Sequence, residues 1–169
     1  TAVGCGHGCK FCYVPGISAN HMKPILAQRG ALDPDAEWGR HVFVRRWDED
    51  EFLRSLRRAD SASSRECAPG TAHGVMVSSA TDPFQIVPHA DPVLSEKLTK
   101  LNEDIVSRAL ELIRDHSNLN VRIMTRSPRA LNHIELLQSF GRRLIFGMSL
   151  PTLRDNLARV YEPRAPAPA

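Results

Sequence analysis

The segment Val121-Arg122-Ile123-Met124-Thr125-Arg126-Ser127-Pro128 carries the pattern that decides the fold. Its first half is rich in β-branched and apolar residues, which predicts a strand over residues 121–125. Ser127 and Pro128 form an N-cap and first-turn pair, which predicts a helix that continues to Phe140. The segment therefore predicts one strand followed directly by one helix.

The same order of elements recurs on both sides of this segment. Upstream, Val75-Met76-Val77 predicts a strand, and apolar residues at helical spacing predict a long amphipathic helix that ends near His116. Downstream, residues 144–148 predict a further strand, and residues 152–155 resemble a capping box that opens a helix to about Tyr161. The predicted strand–helix units cover about residues 73–116, 120–140 and 143–161. This alternation predicts an α/β fold with a parallel sheet.

The chain before residue 73 has weaker patterns. Residues 14–38 are rich in Gly, Pro and Ala without a sustained period, so we predict a long loop with at most one short helical turn. Residues 42–44 predict a short extended segment. Residues 48–58 have an acidic start, a basic end and a modest apolar face, which predicts a helix.

Composition places the chain among globular domains. The 169 residues are 42% hydrophobic and 24% charged, which is enough for one core and excludes wholesale disorder. The formal charge of +3 is too small to argue for a nucleic-acid partner by itself. No apolar run is long enough to span a bilayer, so we expect no membrane partner. Because the chain begins at Thr1 and ends in a Pro-rich stretch, we interpret residues 1–169 as a single truncated domain.

Polar residues collect where the predicted strands end. They are Ser79, Thr81 and Asp82 after the first strand, Thr125, Arg126 and Ser127 after the second, and Ser149 after the third. Each of them alone is typical of a turn or a helix cap. The carboxyl ends of parallel strands meet on one face of a β/α barrel, and active sites are assembled there. Three successive strand ends of this kind therefore predict a binding site.

Three of the four cysteines lie in one short segment, Val3-Gly4-Cys5-Gly6-His7-Gly8-Cys9-Lys10-Phe11-Cys12-Tyr13. Three clustered thiols cannot all pair as disulfides, and no signal segment precedes Cys5. The cluster therefore predicts a metal or iron–sulfur site in a reducing, cytoplasmic compartment. The glycines allow loop 4–13 to wrap tightly around a bound group. Three thiolates on a four-iron cluster leave one iron open for chemistry.

A structural zinc site is the alternative interpretation of these cysteines. Its ligands would be Cys5, Cys9 and Cys12 together with either His7 or Cys67. Zinc sites usually consist of two Cys/His pairs set well apart, and only one such half is visible here. A zinc module, or a non-catalytic iron–sulfur module, explains the three cysteines but not the polar strand ends.

The cysteine segment resembles the signature of a known superfamily. Cys-x3-Cys-x2-Cys with Phe11 before its last cysteine is similar to the motif of radical S-adenosylmethionine (radical SAM) enzymes. His7 and Tyr13 are similar to the flanking residues of the branch related to spore photoproduct lyase, often described as DNA repair photolyase-like. The resemblance continues in residues 78–85, 125–127, 149–150 and 162–166. It therefore covers nearly the whole chain.

The resemblance implies two cofactors, a 4Fe-4S cluster and S-adenosylmethionine. The implied cluster ligands are Cys5, Cys9 and Cys12. The implied cofactor-binding residues are Phe11, Ser79, Thr81, Asp82, Arg126 and Ser149. Within that set, Thr81 and Ser149 are implied to hydrogen-bond the methionine portion, and Arg126 to pair with its carboxylate.

The resemblance also implies a fold and an activity. The implied fold is a partial (β/α) TIM-type barrel, whose first strand belongs just before the cysteine motif and is expected to be missing from this chain. The implied activity is reductive cleavage of S-adenosylmethionine to methionine and a 5′-deoxyadenosyl radical, which abstracts hydrogen from a substrate. A nucleic-acid base is the substrate class that the branch suggests, although aromatic residues are only 6% of the chain, which is sparse for base stacking. The implied partner is an electron donor such as flavodoxin or ferredoxin.

Overall fold

A short antiparallel strand pair brackets the first third of the chain. In the computed structural model, which describes residues 2–66, 73–77 and 79–168, strand β1 (Ala2–Val3) pairs with strand β2 (Phe43–Val44). Helix α1 (Val14–Gln28) lies between these strands in sequence, and helix α2 (Glu49–Glu66) follows them. Cys67 lies outside the described residues.

Helix α1 contradicts the prediction of a loop over residues 14–38. Pro15 fits the first helical turn, where its missing N–H needs no partner, and the side chains of Val14 and Leu26 are buried. Gly16 and the interior Pro24 lower the intrinsic helix propensity of this stretch. The prediction was wrong because it weighed propensity alone, whereas the side chains of Val14 and Leu26 near the two ends of the helix are buried in the folded chain.

The segment around β2 follows the predictions. Residues 43–44 are extended, and α2 includes the helix predicted at 48–58 and continues beyond it to Glu66. Asp48 accepts a hydrogen bond at its Oδ1 from the backbone N–H of Glu51 at 2.9 Å, which satisfies a donor in the first turn of α2. The strand just before the cysteine motif differs from the implied barrel strand, because β1 pairs antiparallel with β2 and does not join the parallel sheet.

Three parallel strands form the main sheet, as the alternating pattern predicts. Strand β3 (Gly74–Val77) is followed by helix α3 (Pro92–His116), strand β4 (Asn120–Thr125) and strand β5 (Leu144–Met148). Strand β4 lies between β3 and β5 and pairs in parallel with both. The chain is therefore a mixed α/β protein, and its described parallel strands make an open sheet, not a closed barrel.

The helices after β4 are shorter than predicted. Ser127 caps this region as expected, with its Oγ accepting from the N–H of Arg129 at 3.3 Å. The predicted helix to Phe140 is instead a 3-10 helix, Pro128–His133, followed by the short helix α4 (Ile134–Gln138). Side chains of the 3-10 helix bond to α3, because Arg129 pairs with Glu103 and His133 contacts Ser107 at 2.9 Å. We attribute the tighter winding to these ties.

The predicted capping box before the last helix is absent from the described structure. Helix α5 (Asp155–Tyr161) begins at the residue that was expected to close the box, and its N-cap Arg154 makes no side-chain cap. The Oγ1 of Thr152 accepts from the N–H of Arg154 at 3.1 Å, which forms a local turn. This turn uses the hydroxyl that the box would have required.

The core covers one face of the parallel sheet. Strand residues of that face, such as Val121 and Ile123, pack against side chains from α2, α3, α4 and the connecting segments. The buried cluster comprises Leu56, Phe84, Val106, Leu110, Ile113, Leu119, Val121, Ile123, Ala130, Leu137 and Phe140. On the opposite face, Met76, Arg122 and Met124 alternate with these core positions. None of the described helices combines the length and apolar character needed to cross a bilayer.

Removing the centre of the core is expected to destabilise the chain strongly. Ile123 is fully buried in β4, so Ile123→Ala leaves a cavity and should lower the free energy of unfolding by about 2–5 kcal/mol. Ile145→Ala on the neighbouring strand is the matched control, because its side chain is 63% exposed and its loss should change stability by less than about 1 kcal/mol. Urea unfolding followed by circular dichroism measures both. Equal losses would contradict this placement of the core.

Candidate functional site

The loop that carries the three clustered cysteines, residues 4–13 and called the cysteine loop below, is tightly wound against the segment before β2. Gly4 and Gly8 have φ angles of +91° and +60°, a backbone region that other residues rarely adopt. A Cβ on Gly4 would collide with the carbonyl oxygen of His41, and the Cα of Gly8 lies against Gly39. The prediction that glycines allow a tight loop is confirmed at these two positions.

All nine residues predicted for the site line one cavity of about 310 Å³. They come from the cysteine loop, from the turns after β3 and β4, and from the residue after β5. The nine residues are Cys5, Cys9, Phe11, Cys12, Ser79, Thr81, Asp82, Arg126 and Ser149. The structure therefore brings together side chains that are separated by up to about 140 positions in the sequence.

The three cysteines of the loop are free thiols. Burial raises the pKa of Cys5 to about 11, and burial followed by the nearby charge of Glu162 raises the pKa of Cys9 to about 12. Neighbouring thiols of the loop add to both shifts, because thiolates repel one another. Without a cation the thiols of Cys5 and Cys9 therefore stay protonated, and a bound cation would favour their deprotonated form.

The described residues contain no group of three or more His, Cys, Asp or Glu side chains arranged to hold a single metal ion. His7, a proposed zinc ligand, engages its Nε2 with Asp82 at 3.0 Å, and both side chains are buried. Cys67, the other proposed fourth ligand, lies outside the described residues. The three thiols line the same cavity.

Asp82 joins the cysteine loop to the end of β4. Its carboxylate accepts a hydrogen bond from the hydroxyl of Thr125 at 2.8 Å, from the N–H of Arg126 at 2.6 Å and from the N–H of Phe84 at 2.9 Å, in addition to its contact with His7. Asp82 is predicted from the resemblance as a cofactor-binding residue. It lines the cavity, but its oxygens are used by other parts of the protein.

The pKa of Asp82 reflects this surrounding. Burial raises the pKa of the carboxyl, but the hydrogen bond and charge of His7 and the N–H groups of Arg126 and Phe84 outweigh burial, and the pKa lies below its usual 3.8. The carboxylate is therefore stabilised in its charged form by the folded structure.

Arg126 is paired inside the cavity with Glu162, a residue that follows α5. Its Nε donates to Glu162 Oε2 at 3.0 Å, and both side chains are buried. The Nη2 lies 2.9 Å from the same oxygen, but it is buried without hydrogen-bond geometry to any described residue. Glu162 Oε1 also accepts from the Cys9 thiol at 3.8 Å. The carboxylate expected opposite Arg126 is thus supplied here by the protein.

The other residues that the resemblance implies for cofactor binding are Thr81, Ser79, Ser149 and Phe11, and each has its own contacts. The hydroxyl of Thr81 donates to the carbonyl oxygen of Gly4 at 2.6 Å and accepts from Gln85, so it also anchors the cysteine loop. The carbonyl oxygen of Ser79 accepts from the hydroxyl of Tyr13 at 2.8 Å. The backbone N–H of Ser149 donates to the carbonyl oxygen of Thr125 at 3.0 Å, and Phe11 is 55% exposed at the cavity.

Sequence reasoning did not assign several other residues that line the cavity. Met76 and Met124 project from the sheet face opposite the core, and Trp38 approaches from the segment before β2. The strand alternation that places Val75 and Ile123 in the core already assigns both methionines to the other face. Glu162 lies in the segment 162–166 of the resemblance, but that segment assigned it no role, because its role depends on contacts with Arg126 and Cys9.

Comparison with known proteins finds sequence similarity to a viral protein. No protein-family model matches the chain, and no solved structure matches it. Among curated proteins, the chain is 26% identical over 169 residues to the uncharacterized protein ORF301 of Acidianus two-tailed virus. The alignment covers 99% of this chain and 46% of that protein. The chain therefore spans less than half the length of this relative.

Removal of the Asp82 charge is expected to change both the stability of the chain and its dependence on pH. Because the folded pKa of Asp82 lies below 3.8, its contribution is present above about pH 4 and is lost as pH falls through the folded pKa. Asp82→Asn should cost about 1–3 kcal/mol at pH 7 and flatten the fall of stability below pH 4.

The control for this prediction is Asp104→Asn, which removes an exposed carboxylate from α3. It should leave both stability and the acid limb of the profile close to those of the wild type. Urea midpoints measured from pH 7 down to about pH 3 compare the three proteins. An unchanged acid limb in Asp82→Asn would show that the buried carboxylate is not responsible.

Proposed function

We propose that the chain is a radical SAM core domain of the branch related to spore photoproduct lyase, which is also described as DNA repair photolyase-like. One observation carries the proposal: nine residues chosen from the sequence as cluster and cofactor ligands line a single cavity. The strand-end residues meet because the strands are parallel, but the parallel sheet alone does not require the cysteine loop to line the same cavity. The activity would be the reductive cleavage of S-adenosylmethionine to start hydrogen abstraction from a substrate.

The cysteine loop supports the binding of a 4Fe-4S cluster by Cys5, Cys9 and Cys12. The three thiols are free and face one cavity, and the pKa values of Cys5 and Cys9 are raised by burial first and also by the neighbouring thiols. Cation binding by deprotonated thiols relieves that repulsion, so the donor set fits an iron–sulfur group. When bound, the cluster supplies the electron that cleaves S-adenosylmethionine into methionine and a 5′-deoxyadenosyl radical.

The chain's own groups would bind and orient the second cofactor. Arg126 carries a positive charge into the cavity that is paired with Glu162. Its buried Nη2 lies 2.9 Å from that carboxylate but makes no hydrogen bond to a described residue, so a second carboxylate could bind there. Ser149 offers a hydroxyl at the end of β5. Met76 and Met124 add apolar, polarisable surface from the sheet. Thr81 and Asp82 contribute by fixing the cysteine loop in place.

The proposed function also implies a partial TIM-type barrel. Three strand–helix units of one parallel sheet, with the cavity at the carboxyl ends of the strands, are what a partial TIM-type barrel would contain. The open sheet face that carries Met76 and Met124 would then be the inner face of the barrel. A flavodoxin or ferredoxin would serve as the electron donor, and a nucleic-acid base is the substrate class that the resemblance suggests.

Iron loading tests the cluster proposal. After anaerobic reconstitution, the wild-type chain should bind iron and sulfide and show the broad visible absorption of a thiolate-ligated cluster. Cys9→Ala removes one ligand and should abolish most of the iron content and colour. Cys67→Ala is the matched control, because it removes a cysteine outside the loop and should load like the wild type.

Two results would contradict this function. Zinc bound in place of iron, without visible absorption, would favour a structural metal module. Iron loading with no release of 5′-deoxyadenosine, after addition of reductant and S-adenosylmethionine to the full-length protein, would leave a non-catalytic iron–sulfur module.

Binding of S-adenosylmethionine tests the role of Arg126. In the iron-loaded chain, Arg126→Met should weaken binding by about 10-fold or more, because a hydrogen bond between charged groups is lost. Arg129→Met is the matched control: Arg129 also pairs with a buried glutamate, Glu103, but it does not line the cavity. Both variants lose an ion pair. Only Arg126→Met should lose affinity for S-adenosylmethionine, measured by calorimetric titration of the folded protein. Equal affinities would remove Arg126 from the site.

A further inference from the structure

Glu162 is bound to the arginine that is expected to hold the carboxylate of a ligand. Its Oε2 lies 3.0 Å from Nε and 2.9 Å from Nη2 of Arg126, and both side chains are buried. Both residues line the cavity that contains the nine predicted site residues, called the first cavity below. A ligand carboxylate that approaches Arg126 from this cavity therefore meets a cation whose charge is already paired.

The contact between Arg126 and Glu162 is weaker than such a pair can be. A guanidinium binds a carboxylate best through two parallel N–H groups, with one carboxylate oxygen for each. Here Nε and Nη2 both face Oε2, and Nη2 lacks hydrogen-bond geometry to any described residue. The other oxygen, Oε1, is turned towards the thiol of Cys9 at 3.8 Å. A carboxylate that uses both of its oxygens would therefore bind Arg126 better than Glu162 does.

Glu162 also lies next to a second cavity, of about 250 Å³, whose wall includes residues of helix α5. Besides Glu162, the charged residues of this wall are Asp155 and Arg159. Arg159 forms no ion pair with a described residue. Because side chains three positions apart are neighbours on a helix surface, a carboxylate released from Arg126 would have another cation close to it.

The backbone on both sides of Glu162 is fixed to the cysteine loop. The N–H of Lys10 donates to the carbonyl oxygen of Tyr161 at 2.8 Å. The N–H of Arg164 donates to the carbonyl oxygen of His7 at 3.3 Å. Release of the Glu162 carboxylate therefore requires a movement of its side chain only, and the wall of the first cavity keeps its shape.

We propose that Glu162 is an internal competitor for Arg126, which the carboxylate of a bound ligand replaces. This inference rests on the proposed function for the identity of that ligand, the methionine portion of S-adenosylmethionine. Before a ligand binds, Glu162 stabilises the chain, because a buried charge without a partner is costly. When a ligand carboxylate bonds to Nη2, two negative charges share one guanidinium and repel each other. Glu162 therefore lowers the affinity of the first cavity for its ligand.

The competing interpretation is that Glu162 positions Arg126 for the ligand. Two observations favour competition. The backbone N–H of Arg126 is already held by Asp82 at 2.6 Å, so its place at the end of β4 does not depend on Glu162. Glu162 also lines the same cavity as the ligand would occupy. The two interpretations predict opposite changes in affinity when the charge of Glu162 is removed.

Acetate tests whether the place of the Glu162 carboxylate is accessible from solution. Glu162→Ala removes one CH2 group and the carboxylate, which together have the shape of acetate, and leaves Arg126 without its partner. Compared with sodium chloride at equal ionic strength, ~0.1 M sodium acetate should raise the folding equilibrium constant of this variant about tenfold, for a dissociation constant of ~10 mM. Urea unfolding of the chain as purified measures this effect.

The matched control is Glu103→Ala. Glu103 is also a buried glutamate paired with an arginine, Arg129, but it lines neither cavity. Acetate should therefore stabilise Glu103→Ala no more than it stabilises the wild type. Equal stabilisation of the two variants overturns the inference, because a carboxylate from solution then has no special access to Arg126.

Titration with S-adenosylmethionine tests the direction of the effect. Glu162→Gln keeps the size of the side chain and an oxygen for Arg126 Nε, and it removes the charge. In the iron-loaded chain this variant should bind S-adenosylmethionine about fivefold more tightly than the wild type, measured by calorimetry. Glu103→Gln should bind it like the wild type. Weaker binding by Glu162→Gln overturns the inference in favour of a positioning role, and this titration decides alone if Glu162→Ala does not fold.

The two experiments separate this inference from the proposed function. The acetate experiment needs neither iron nor S-adenosylmethionine. Failure of the wild-type chain to load iron rejects the proposed function, whereas selective stabilisation of Glu162→Ala by acetate still supports a displaceable Glu162 and a carboxylate ligand of another kind. Iron loading without selective stabilisation by acetate has the opposite meaning, because it supports the proposed function and overturns the competition.

Discussion

The buried carboxylate of Asp82 is the contact on which the arrangement of the site depends. It joins His7 of the cysteine loop to Thr125 and the N–H of Arg126 at the end of β4, and it closes its own turn through Phe84. These donors are buried, so each of them would lose a partner if the carboxylate were displaced. Asp82 therefore joins the loop to the sheet, and Thr81 and Gln85 bind the backbone of the same loop.

With the loop in this position, the two faces of the parallel sheet have different roles: one is covered by the core and the other lines the cavity. One face is covered by helices and carries the core around Ile123, which gives the strands a rigid base. The other face carries Met76 and Met124 into the first cavity, where the cysteine loop crosses the carboxyl ends of the strands.

The three parallel strands and helix α3 were predictable because their signals are local. Residues 121–125 and 144–148 are strands as expected, and α3 ends at His116 as its apolar spacing predicts. The errors arose where tertiary contacts outweigh local preference. Helix α1 forms despite Gly16 and Pro24, and the segment after Ser127 winds as a 3-10 helix while Arg129 and His133 are bound to α3.

The sequence by itself determined the cysteine spacing, the glycines that allow a tight loop and the polar residues that follow each strand, since all of these are set by neighbours in the chain. Only the tertiary structure decided that Arg126 pairs with Glu162, and that Asp82 holds the loop instead of leaving its oxygens free. Such pairs join residues 36 and 75 positions apart. Their partners are chosen by packing of the sheet and its helices, for which a local pattern carries no information.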